Sequence, residues 1–106
     1  MASSREYLEF ILGQVAGLEK VTSRAMMGEY LLYYKGKLIG GIYDDRLLVK
    51  PVPAAMMALP GAAQERPYEG AKPMLLVDQV DDGAFLQALF CAMEQELAAP
   101  RPKKKR

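Results

Sequence analysis

The chain has 106 residues with no His, a single Cys and no Trp. That is one domain's length, and it lacks the partners needed for the usual zinc-ligand sets, a His-dependent nucleophile triad or an internal disulfide. Its 14 basic residues nearly match its 13 acidic ones, but Arg101, Lys103, Lys104, Lys105 and Arg106 hold five of the bases, leaving nine against 13 through Pro100; an acidic body excludes a domain-wide basic face.

Ser3 followed by Glu6 is a capping-box spacing, and Tyr7, Phe10, Ile11, Val15 and Leu18 recur at helical intervals, predicting a first helix over about 4–18. From Arg24 the texture becomes aromatic, β-branched and glycine-punctuated. Tyr30 to Tyr34, Leu38 to Tyr43 and Arg46 to Lys50 read as three antiparallel strands joined by Lys35-Gly36 and Asp44-Asp45, pairs suited to positive φ in two-residue hairpins. Met26-Met27 reads as a short strand leading in. Pro53 to Leu59 is a short helix, opened by a proline its first turn tolerates and stopped by Pro60-Gly61.

The stretch from Gly61 to Gly70 is read as loop, and Pro67-Tyr68 and Met74 to Val77 as the late strands. Asp81-Asp82 opens a last helix with Phe85, Leu86, Leu89, Phe90, Met93 and Leu97 as its apolar stripe. Pro100 ends that helix. Residues 1–100 form the single domain, and 101–106 are expected to be a disordered basic tail.

Two-residue turns would place Tyr34 opposite Lys37 and Tyr43 opposite Arg46, and alternation then sorts the strands onto two faces. One face carries Leu31, Tyr33, Leu38, Gly40, Ile42, Leu47 and Val49 and is expected to meet the helices. The other carries Tyr30, Leu32, Tyr34, Lys37, Ile39, Gly41, Tyr43, Arg46, Leu48 and Lys50, too apolar for an ordinary wet surface. Three readings of this second face stay open: cross-strand packing of tyrosines, a homodimer interface, or stacking of single-stranded nucleic acid on the tyrosines with Lys37, Arg46 and Lys50 on phosphates. The residues assigned to partner binding are Tyr30, Tyr34, Lys37, Tyr43, Arg46 and Lys50.

Gly36-Lys37 and Gly40-Gly41 lack a phosphate-loop context and read as turn and strand glycines. Asp44-Asp45 is a turn rather than a carboxylate pair, since neighbours in a tight turn point apart. The seven methionines read as core filling, with an adaptable binding groove lined by Met26-Met27 and Met56-Met57 as the alternative, and Cys91 reads as a small buried hydrophobe. The longest uncharged run, Pro51 to Gln64, is too short and too broken to cross a bilayer, and Met1 to Glu6 has no signal-peptide organisation, so the expected location is the cytoplasm. Arg101, Lys103, Lys104, Lys105 and Arg106 could attract nucleic-acid phosphates through charge alone, weakly and with steep salt dependence.

The stretch from Arg24 to Lys50 resembles the N-terminal domain family of the TfoX/Sxy competence regulators. Met26-Met27-Gly28, the hairpin Gly36, the Asp44-Asp45 turn and Lys50 carry the resemblance, joined downstream by Tyr68 and Lys72-Pro73-Met74. Met27 stands where that family usually has an aromatic, Glu29 where a second glycine is frequent, and Leu76 to Val80 where it has an aromatic-Pro segment. The resemblance implies an α+β, two-layer fold with an antiparallel sheet in α-β(3)-α-β(2)-α order. It also implies a regulatory module of the kind that acts with the cyclic-AMP receptor protein at promoters, and it brings no catalytic residues and no cofactor. The functional expectation is therefore a non-enzymatic regulatory or interaction module. Its partner would be a protein, such as a transcription factor, or a second copy of itself; weak nucleic-acid binding through the tail and the Tyr/Lys/Arg face is the alternative. No membrane and no small-molecule substrate are implied.

Overall fold

The computed structural model describes residues 4–97. The expected tail, Arg101 to Arg106, lies outside them. Helix α1 spans Arg5–Gln14; its N-cap is Ser4, one residue later than the Ser3/Glu6 spacing predicts, and the Ser4 hydroxyl accepts from the Tyr7 amide. Six strands follow in antiparallel pairs: β1 Val21–Met26, β2 Glu29–Tyr34, β3 Lys37–Ile42, β4 Leu47–Val49, β5 Gln64–Glu65 and β6 Met74–Val77. Helix α2, Pro53–Ala58, separates β4 from β5, and α3, Gly83–Glu94, closes the fold with Asp82 accepting from the Phe85 amide. The strands form one sheet in the order β1-β2-β3-β4-β6-β5.

The architecture is the α+β antiparallel one expected, with one strand more ahead of α2, because the lead-in at Met26-Met27 extends back to Val21. β5 lies at Gln64–Glu65 rather than Pro67-Tyr68. Met27-Gly28, Lys35-Gly36 and Asp44-Asp45 all hold positive φ, giving three successive two-residue hairpins.

Alternation does not survive the middle of β3. Tyr34 pairs with Lys37 and Tyr33 with Leu38, but Leu32 pairs with Gly40, so Ile39 is an extra residue in a bulge. Beyond it, Tyr30 pairs with Ile42. The part of the sheet before the bulge, β2 and the start of β3, is thereby turned over relative to the sequence reading, while Ile42, Leu47 and Val49 meet the helices as expected. Leu32, Tyr34, Ile39, Ile42, Leu47, Val49, Leu75 and Val77 form the core with Leu8 and Ile11 of α1, Ala55 of α2, and Leu86, Leu89, Phe90 and Met93 of α3. Leu31, Tyr33 and Leu38, expected in the core, register instead on the far face and are half-buried. Among the described residues no helix is long and apolar enough to cross a membrane.

Candidate functional site

The bulge divides the six residues expected to form one partner surface. Tyr34 is 5% exposed beneath α3, its ring 6.5 Å from that of Phe90 and its hydroxyl 3.7 Å from Cys91 Sγ. That hydrogen bond, and then burial, raises the Tyr34 pKa. Lys37 Nζ donates to the Glu94 carbonyl at 3.0 Å and to Glu94 Oε2 at 2.8 Å, tying the start of β3 to the end of α3. The Lys37 hydrogen bond holds the Glu94 carboxyl below its usual range. Tyr30 packs half-buried against the same core. These three residues lie on the helix-covered face, which corrects the expectation that all six share one face.

Tyr43, Arg46 and Lys50 register on the opposite, helix-free face. The Tyr43 ring lies over Gly41, where a Cβ would stand 2.7 Å from its Cε2 atom, so a glycine is what lets the ring lie flat on the sheet. Burial raises the Tyr43 pKa, and the neighbouring Tyr68, Glu29 and Tyr33 add to the effect. Arg46 donates through Nε to the Tyr43 carbonyl at 3.1 Å and pairs with Glu65 through Nη1, which fastens β5 to the β3–β4 turn. Its charge is already matched.

On this helix-free side lies an open groove of about 670 Å³. Its floor is Leu31 and Leu38, displaced there by the bulge, together with Gly40; its walls are Met26 and Met74 at the strand ends and Tyr43 and Tyr68. Pro51 and Pro67 stiffen the segments leading into and out of it, and Lys50 and Lys72 contribute the cationic side chains. Tyr68 is 59% exposed, with its ring 6.5 Å from that of Tyr43 at an interplanar angle of 59°. Just beyond Met26, Met27 occupies the hairpin tip at φ 53° and is 95% exposed.

Sequence reasoning put Tyr43 and Lys50 of this groove among the partner-binding residues, weighed Met26 as a groove lining but favoured core filling, and left the rest out as site residues. The signal that could have found them lay in the resemblance: Met26, Lys50, Tyr68, Lys72, Pro73 and Met74, all among the residues that carry it, converge on this one groove. Other expectations also change. Cys91 is exposed rather than buried, and Met27, Met56 and Met57 stand in solvent while Met93 fills the core. Among the described residues no group of three or more His, Cys, Asp or Glu side chains could hold a metal ion.

The chain matches the family model for the TfoX N-terminal domain over residues 13–94. It is also 32% identical over 105 residues to the "uncharacterized 12.7 kDa protein in trpE 5'region" of Spirochaeta aurantia, an alignment covering 98% of this chain and 91% of that one. No solved structure matches. With the family model spanning the whole sheet, every residue that lines the groove and helices α2 and α3, the chain belongs to the TfoX N-terminal domain family.

Proposed function

We propose that the chain is a TfoX-like regulatory module that acts by protein contact, receiving its partner in the groove on the helix-free sheet face. The observation that carries this reading is the groove itself: an apolar, aromatic-walled concavity on the sheet face that no helix covers. All three helices supply their buried residues to the other face. The reading moves the interaction surface from Tyr30, Tyr34 and Lys37, which the core and α3 occupy, to Tyr43, Lys50, Tyr68 and their neighbours. It also weakens the case for stacking nucleic acid, because Tyr34 and Tyr43 are each only 5% exposed and base stacking needs an open ring face.

The test is affinity capture with the full chain and with a Tyr68→Ser, Met26→Ser variant, whose side chains are exposed or half-buried and leave the core intact. A partner retained at physiological salt by the native chain and lost by the variant is the expected result. Fluorescence anisotropy with labelled single-stranded and duplex DNA runs beside it. DNA binding that survives physiological salt and depends on Tyr68 would replace the protein-contact reading.

A further inference from the structure

We infer that the occupant of the groove is an extended peptide segment of a partner protein that combines apolar side chains with carboxylates. The inference rests on the proposed protein-contact reading and specifies its chemistry.

Charge is the first argument. Lys50 and Lys72 line an otherwise apolar groove, and no acidic side chain lines it with them. Outside the groove Lys37 pairs with Glu94, Arg46 with Glu65 and Arg5 with Glu9, while the exposed Lys20, Arg24, Lys35 and Arg66 have no ion pair among the described residues; what sets the two groove lysines apart is the apolar lining they share. Neither Lys50 nor Lys72 has an ion pair or side-chain hydrogen bond among the described residues, although acids outnumber bases through Pro100. Two unmatched ammonium groups beside apolar walls suit a ligand that brings anions together with hydrophobic groups, since a charge-assisted hydrogen bond strengthens where water is partly excluded. The chain's own tail, Arg101 to Arg106, has the wrong sign to be that ligand.

Shape is the second argument. Small-molecule sites enclose most of their ligand, whereas this groove is open to solvent on the sheet face and reaches from Met26 at the end of β1 to the exposed Tyr68. An extended segment can follow that path, with hydrophobic side chains against Leu31, Leu38 and Tyr68 and carboxylates at the two lysines.

Selection of a random dodecapeptide phage library on the full chain tests this, with synthetic copies of the winners measured against Lys50→Gln, Lys72→Gln and against Tyr68→Ser, Met26→Ser. Enriched peptides should pair Leu, Phe or Tyr with Asp or Glu. Their Kd should rise about tenfold with the lysine substitutions, and also with added salt, and binding should disappear in the Tyr68 variant. Peptides that need Tyr68 but carry no acidic bias and ignore the lysine substitutions would overturn the inference while leaving the groove reading in place. Failure to select any Tyr68-dependent peptide, with no dodecanoate binding and no Tyr68-dependent self-association either, would overturn the groove reading itself. Saturable binding of sodium dodecanoate, or self-association lost with Tyr68→Ser, without peptide selection, would assign the groove to a small amphiphile or a second copy and overturn the inference.

Discussion

At Gly40 an added Cβ would run into the Leu48 carbonyl oxygen and lie 2.7 Å from Val49 Cα, and both obstacles are backbone that cannot swing aside. The glycine therefore allows β4 to approach β3 just beyond the bulge at Ile39. Gly40→Ala should destabilise the fold by about 3 kcal/mol, the upper end for overpacking a fixed site. Gly13 is the internal control: in α1 an added Cβ meets nothing within 4 Å, so Gly13→Ala should stabilise by about 0.5–1 kcal/mol. Urea denaturation of the two variants checks both signs; equal effects would show that packing at Gly40 is not what fixes the sheet. The same scale explains why Tyr30, Tyr34 and Lys37 look like surface residues in the sequence. A tyrosine hydroxyl and a lysine ammonium carry no mark of burial until Cys91 and Glu94 arrive from α3, and those contacts are set by the fold.

Among the elements, the helices and the hairpin turns were legible because their signals are local. Proline at the first turn of α2, Asp82 ahead of α3 and positive-φ pairs at Lys35-Gly36 and Asp44-Asp45 each act within a few residues. The bulge was not legible. Both flanking turns hold the predicted pairs, Tyr34 with Lys37 and Tyr43 with Arg46, yet one extra residue between them reverses the faces, and Ile39 reads like any strand residue. β1 escaped detection over most of its length because its middle residues are exposed, so no hydrophobic alternation marks it. Its turn into β2 holds a further prediction. Met27 adopts φ 53°, a region that disfavours most L-residues by about 1–2 kcal/mol and suits asparagine better. With 95% of its surface exposed, its side chain contributes little to packing. Met27→Asn should raise stability by about 0.5–1 kcal/mol, seen as a higher urea midpoint at unchanged m-value. A lower midpoint would show that the methionine side chain supports the hairpin tip.

For the whole molecule, the two-layer arrangement was legible from the count and order of elements. The groove was not, because residues far apart in sequence meet there only after the bulge has turned Leu31 and Leu38 to the helix-free face. The same packing gives the molecule a predictable alkaline limb. Tyr7 and Tyr43 have raised pKa values chiefly through burial, with Asp45 adding at Tyr7, and Tyr34 does so chiefly through its hydrogen bond with Cys91. A raised value means that the folded chain keeps a proton which the unfolded chain releases near pH ~10. The stability this contributes is therefore fully present below that pH and is lost as pH rises through the folded-state values. Each such tyrosine steepens the decline by up to about 1.4 kcal/mol per pH unit. Urea midpoints followed from about pH 8 to about pH 11 should fall along this limb, and Tyr34→Phe with Tyr43→Phe should flatten it, since phenylalanine has no proton to lose. An unchanged slope in that variant would place the alkaline sensitivity outside the two sheet tyrosines. A flattened slope would tie it to one residue on each face of the sheet, Tyr34 under α3 and Tyr43 in the groove.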